Sequence, residues 1–437
     1  MNRKQLIPIR DQIQSTMKES EVIELAFKTG FTERIHKVDP FELMMSLLSS
    51  FAAGTVDTIS AVLSDFNSTN DKSVQYKPFH NQLSKQTFPV FIREVVNLML
   101  ARLVSQTLEA VPGSALARFT DILIQDGTSF AVHDELAARF PGRFTKVSPA
   151  AVELHTTMSL LTGQATRIQL TEDKRGEREF LPKPEEATNC LTLADRGYDG
   201  AKYCSELHEA GGSYIIRWRS AISATVVAAY LSPGVPPIVA NQPFSAIREA
   251  LKGHDADLDI ALSKKTRCKA AKGKLFRLVM IWNPELKSHM LLMTNLPRED
   301  FPPTTVRAVY SLRWQVELLF KEWKSHANLH ALGTRKEGIV EGFIWIALVA
   351  AALKRYLANA AQQLAGVPIS TLKAARALTN HVRELIGYLA DGIVPLAFVD
   401  RMLRFLRDNV RRAHPKREAA RGRLSTGLLR PVLGMTG

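Results

Sequence analysis

Three acidic residues, far apart in the chain, stand where a carboxylate can be aimed at a substrate. Asp126 follows the apolar run ILIQ and precedes Gly127, and Asp195 follows the run CLTLA. The third, Glu317, lies in YSLRWQVELLFKEWK, residues 310–324, which has neither Gly nor Pro. Carboxylates converging from distant segments suit hard divalent ions such as magnesium or manganese, which take oxygen ligands. Two such ions about 3.5–4 Å apart activate a water or a 3′-hydroxyl on one side of a phosphodiester and stabilise the leaving oxygen on the other. Each aspartate taken alone reads more readily as a turn residue or helix cap than as a metal ligand.

The 310–324 segment reads as one helix continuous from about residue 304. On a wheel at about 100° per residue, Tyr310, Arg313, Glu317 and Lys324 share an arc of about 60°. Leu312, Val316, Leu319, Phe320 and Trp323 fill the adjoining arc, the pattern of a core stripe. Glu322 falls away from both. Spacing leaves two readings of Glu317 open, a local salt bridge to Arg313 four residues earlier or one wall of an active site.

The order Tyr310, Arg313, Glu317, Lys324 fits the spacing Y-(2)-R-(3)-E-(6)-K and resembles the signature of bacterial IS4-type insertion-sequence transposases. IQDGTSF is similar to that family's first-aspartate strand and LADRGYDG to its second. The resemblance covers roughly residues 115–335. It implies a ribonuclease H-like α/β core in which Asp126, Asp195 and Glu317 bind metal, with two Mg2+ ions per site and Mn2+ able to substitute. It also implies that Tyr310, Arg313 and Lys324 contact DNA phosphates. The implied activity is cut-and-paste transposition: binding of terminal inverted repeats, cleavage of the ends, and joining of the 3′-hydroxyls to target DNA by a homodimer. A nuclease of the same fold without strand transfer, and a decayed transposase acting as a DNA-binding regulator, are the alternatives. Some family members stack a flipped base on an aromatic ring, but Trp218 and Trp282 lie in strand-like apolar runs and read as core. Asp199, beyond the second strand in RGYDG, reads as a turn or cap residue.

The elements that must position these residues follow from periodicity. Residues 1–112 read as a helical N-terminal DNA-binding domain: VIELAF, FELMMSLLSSFAAG and FPVFIREVVNLMLARLV have apolar spacings near 3.6, broken by the polar loop DFNSTNDKS. YKPFHNQLSK fits either a helix-turn-helix or a plain bundle. Residues 113–335 mix short strands and helices, as an α/β core does. AVELHTTMSLLTG and QATRIQLTED read as two strands about the Thr162-Gly163 turn, and GAKYCSELHEAGG as a helix before the strand SYIIRWRS. Residues 220–300 read as a β-rich insertion apart from the central sheet. Residues 336–437 read as a helical C-terminal region, for dimerisation or DNA contact, that ends in a polar, basic, mobile tail.

Composition narrows the partners. Of 437 residues, 57 are Lys or Arg and 43 Asp or Glu, a net charge of +14 that favours a polyanion. The excess lies downstream of residue 110. KKTRCKAAKGKLFR, residues 264–277, holds seven basic residues and no acid, and Lys264, Lys265 and Arg267 are its candidate DNA contacts. Three scattered cysteines (Cys190, Cys204, Cys268) give neither a disulfide framework nor a zinc-ligand spacing. The longest apolar run, FIWIALVAAAL at 343–353, is too short to span a bilayer. With no signal-peptide pattern at the N-terminus, a cytoplasmic, nucleoid-associated protein is the expectation.

Overall fold

Asp39 illustrates how the N-terminal helices begin. Its carboxylate accepts from the Phe41 N–H at 2.8 Å and the Glu42 N–H at 3.1 Å, and Pro40 takes the first helical position, where no N–H is needed. The helix so started, Pro40–Ala53, ends on Gly54 at φ 68°, the left-handed conformation glycine adopts without strain. It is α3 of a series comprising α1 (Arg3–Ser15), α2 (Glu19–Lys28), α4 (Ile59–Thr69), α5 (Tyr76–Leu83) and α6 (Phe88–Arg102). DFNSTNDKS is not wholly a loop: α4 runs through Thr69, because Thr58 caps it by accepting from the Ala61 N–H and Val62 and Phe66 bury one face. This computed structural model describes every residue except 1, 55, 57, 221, 236, 264–268, 327–333, 415–423, 425 and 433–437.

The α/β part of the chain is built on one ten-stranded mixed sheet. Its strands are β2 (Ile122–Ala131), β3 (Ala151–Ser159), β4 (Gln164–Glu172), β5 (Leu191–Ala194), β6 (Ser213–Trp218), β7 (Ala224–Tyr230), β8 (Gln242–Pro243), β9 (Ala256–Leu262), β10 (Leu275–Asn283) and β11 (Ser288–Thr294). They lie in the order β4-β3-β2-β5-β6-β11-β10-β9-β7-β8. β3 and β4 form the hairpin about Thr162-Gly163, with Gly163 at φ 67°. Helix α7 (Ala201–Glu209) connects β5 to β6.

The strands of residues 220–300 therefore do not stand apart from the central sheet, contrary to the sequence reading. β11 pairs antiparallel with β6 from Leu291↔Trp218 to Thr294↔Ile215, and the rest follow outward. An uncovered β6 edge would present a row of unpaired backbone groups, and β11 satisfies them. The segment also holds a helix, α8 (Phe244–Ala250).

Helices follow: α9 (Pro303–Ser311), which packs on β10, α10 (Trp314–His326), which packs on β2, and then α11 (Glu337–Ala365), α12 (Thr371–Ala377), α13 (Thr379–Ala390) and α14 (Leu396–Asn409). The FIWIALVAAAL run is the buried middle of α11, against which α3 and α6 pack. Buried apolar side chains from the N-terminal helices, the sheet and the C-terminal helices join in one cluster. The C-terminal tail is not all free: β12 (Leu429–Pro431) pairs antiparallel with β1 (Leu108–Ala110), and Arg430 meets Glu109 at 2.7 Å. Among the described residues, no helix is long and apolar enough to cross a membrane.

Candidate active site

Parallel pairing aligns the two aspartates. Ile122–Gln125 of β2 run beside Leu191–Ala194 of β5, with Gln125 opposite Ala194, so Asp126 and Asp195 are the next residues on neighbouring strands. The sequence reading ended both strands at the aspartates, which holds only for β5. β2 continues to Ala131 and keeps pairing with β3, where Asp126 faces Thr156. Asp126 thus sits at the point where β5 stops and the β2 edge opens.

The third acid comes from above the sheet, where α10 packs on β2. The expected single helix is two. α9 stops at Ser311 and α10 starts at Trp314, and the junction is tightened by bonds spanning three residues: Arg313 N–H to the Tyr310 carbonyl at 3.1 Å and Val316 N–H to the Arg313 carbonyl at 3.2 Å. This break takes Tyr310 and Arg313 off the ideal wheel. Leu312, Val316, Leu319, Phe320 and Trp323 are nevertheless all buried, so the core stripe survives the junction.

Tyr310 and Arg313 bind the three acids together. The Tyr310 hydroxyl donates to Asp195 at 3.2 Å. The Arg313 guanidinium donates to Asp126 through one nitrogen and to Glu317, at 3.1 Å, through another. Arg217, at the end of β6, lies 3.5 Å from the same Asp195 oxygen; sequence reasoning missed it, since a lone arginine in a strand carries no motif. Lys324 is exposed farther along α10, and among the described residues no carboxylate contacts it. Lys264, Lys265 and Arg267 lie outside the described residues. Of the same basic run, Arg277 is buried in an ion pair with Asp257 at 2.6 Å, and Lys274 pairs with Glu209 at the surface.

Electrostatics bear on what the acids can hold. Burial pushes the Asp126 carboxyl up to about 6 against the pull of Arg313, and the charges of Asp195 and Glu317 add to the rise. Burial also raises the Tyr310 hydroxyl, helped by Asp195, so it stays a donor. Arg313 loses solvation, yet the carboxylates of Asp126, Asp195 and Glu317 hold it above the ordinary guanidinium value. Three mutually repelling carboxylates are a hard-oxygen donor set that fits a divalent cation. In the arrangement described, Arg313 stands between Asp126 and Glu317, and among the described residues no three His, Cys, Asp or Glu side chains converge closely enough to hold an ion together.

Gly127 packs closely against a buried carboxylate, whereas Gly197 meets only the end of the partly exposed Glu177 side chain. A methyl group on Gly127 would lie 2.7 Å from the buried Glu153 carboxylate, and one on Gly197 would overlap the Glu177 carboxylate. Glu153 in turn meets Arg143 at 3.2 Å. Trp218 is core, as expected, and Trp282 is half-buried, edge-on to His289 at 4.8 Å.

Residues 117–353 match the family model described as "Transposase DDE domain". The chain belongs to that family. All three acids and the strands and helix that carry them fall within the match, and the enzyme is a DDE transposase. Among its relatives, the transposase for insertion sequence element IS231C of Bacillus thuringiensis subsp. berliner is 22% identical, over 89% of this chain and 86% of that one. The putative transposase InsL for insertion sequence element IS186A of Escherichia coli K12 is 28% identical over 46% of this chain and 59% of its own. A solved structure, the piggyBac transposase synaptic complex with hairpin DNA, aligns with a TM-score of 0.42 at 13% identity, covering 90% of this chain and 81% of that one.

Proposed function

We propose that this transposase binds the terminal inverted repeats of its own insertion sequence, cleaves the ends and joins the freed 3′-hydroxyls to target DNA. The observation that carries the reading is that Tyr310 and Arg313 reach all three acids, Asp195 through the phenol and Asp126 and Glu317 through one guanidinium. On this reading the sheet around β2, β5 and β6 is a ribonuclease H-like core, and Asp126, Asp195 and Glu317 are its metal ligands. Two divalent ions, Mg2+ with Mn2+ able to substitute, would supply activation of the attacking water or 3′-hydroxyl and stabilisation of the leaving oxygen.

The chain's own residues do the positioning. Arg313 keeps Asp126 and Glu317 within reach of one group despite their repulsion, and Tyr310 fixes the orientation of Asp195. Arg313 and Lys324 add positive charge where the scissile phosphate has to lie. Residues 1–112 serve end recognition, residues 113–335 catalysis, and residues 336–437 DNA contact or pairing of two copies across the two ends. The test is a strand-transfer assay with pre-cleaved ends taken from the DNA flanking the gene. Joining of the 3′-ends to a target plasmid is expected. Cleavage of intact end DNA with no joining of the pre-cleaved ends would reduce the protein to a nuclease.

A further inference from the structure

Asp199 reads from sequence as a turn or cap residue, and it does cap the turn Arg196–Tyr198, but its carboxylate is also buried among arginines. It is 2% exposed and follows the short 3₁₀ turn Arg196–Tyr198 that begins at Asp195. Two guanidiniums close on its carboxylate: Arg178, from the 3₁₀ turn Glu177–Phe180, and Arg219, just past β6, which donates through Nε and again at 2.5 Å through a terminal nitrogen. Both arginine side chains remain about half exposed, at 53% and 50%. Arg196, in the turn itself, is exposed, and Arg217, two residues before Arg219, lies 3.5 Å from Asp195.

One carboxylate is satisfied by one bidentate guanidinium. A second guanidinium and the neighbouring Arg196 add positive charge, while Glu177, whose carboxylate lies against Gly197 in the same turn, faces Arg143 at 3.8 Å. Each guanidinium has five N–H donors in a rigid fork, and those not spent on Asp199 face solvent. Groups already fixed to a buried anchor lose little freedom when they meet an anion. The geometry points to an arginine array, Arg178, Arg196 and Arg219 organised by Asp199, that grips backbone phosphates of the DNA where it runs past Asp195. This rests on the reading that the site acts on DNA, and it assigns Asp199 as a positioning residue for that grip.

The test uses the full chain and a short linear DNA duplex of arbitrary sequence, since phosphate contacts are independent of sequence. Binding is measured by anisotropy between about 50 and 200 mM salt. Arg178→Gln, Arg196→Gln and Arg219→Gln should each weaken binding about three- to tenfold at low salt and flatten the log–log salt slope by roughly one. Arg196 has no side-chain bond to lose among the described contacts, so its variant tests the array without disturbing the buried anchor. Asp199→Asn keeps every cation and adds net positive charge. A free-charge effect would tighten binding, whereas loss of the anchor should weaken it, with thermal unfolding followed alongside. If wild type binds and the three glutamine variants match it in affinity and slope, or Asp199→Asn binds more tightly, the array is wrong and the transposase reading stands. If wild type does not bind duplex DNA, the array falls together with the reading that this site holds DNA.

Discussion

Glu322, the acid that the wheel sets apart from the catalytic face, offers a quantitative test of how α10 is held. It is 4% exposed, and it accepts from Arg355 of α11 at 2.7 Å and from the Thr371 hydroxyl at the start of α12. Arg355, itself buried, also donates to the Gly163 carbonyl in the β3–β4 turn at 2.6 Å. One ion pair thus joins the helix carrying Glu317 to α11, α12 and the sheet. Glu322→Ala strands a buried guanidinium, a loss of about 3–5 kcal/mol. At about 2.1 cal/mol/K per residue, unfolding of all 437 residues carries roughly 0.9 kcal/mol/K, so the melting midpoint should fall by about 3–5 °C. A smaller cooperative unit would show a larger shift. Glu322→Met with Arg355→Met removes both charges, and should recover to within about 1–2 kcal/mol of wild type. The freed Gly163 carbonyl accounts for about 1 kcal/mol of what remains. Scanning calorimetry of the wild type, both single variants and the double variant gives the coupling. A double variant that melts as low as the two single losses added together would refute a buried pair.

Other consequences follow from packing and charge. Gly342 lets α11 approach α6, since a methyl group there would lie 2.4 Å from the Phe88 ring; Gly342→Ala should cost about 1–3 kcal/mol by overpacking, read as a lower melting midpoint. Burial pushes the Glu153 carboxyl up to about 7 against the pull of Arg143. A raised carboxyl contributes stability below its unfolded value that is lost as pH rises through the folded one. Relative to wild type, Glu153→Gln should therefore gain stability between about pH 4.5 and pH 7, and a constant difference in melting midpoint across that window would contradict the assignment.

Much of the site was legible because its signals are local. Asp126 and Asp195 each follow a strand-length apolar run, and a parallel pair aligns such ends whatever lies between them. The core stripe of α10 was readable for the same reason: Val316, Leu319, Phe320 and Trp323 sit within one unbroken helix. What failed depended on partners distant in sequence. The break at Leu312–Arg313 leaves no Gly or Pro to announce it, and it is where Arg313 turns toward Asp126 on a strand 187 residues earlier. The fate of residues 220–300 was decided by the open β6 edge, which the strands' own patterns do not reveal. Asp199 is the turn residue its sequence suggests, but its burial, like that of Glu322, was not legible, because a buried carboxylate is recognised by the arginines that fold onto it, here Arg178, Arg219 and Arg355.

The central claim is that Asp126, Asp195 and Glu317 together carry the chemistry, and single-turnover cleavage of pre-bound end DNA in Mg2+ tests it most directly. Asp126→Ala, Asp195→Ala and Glu317→Ala should each bind the end DNA and leave it uncut, while wild type cleaves it. Undiminished cleavage by any one of the three would contradict the account.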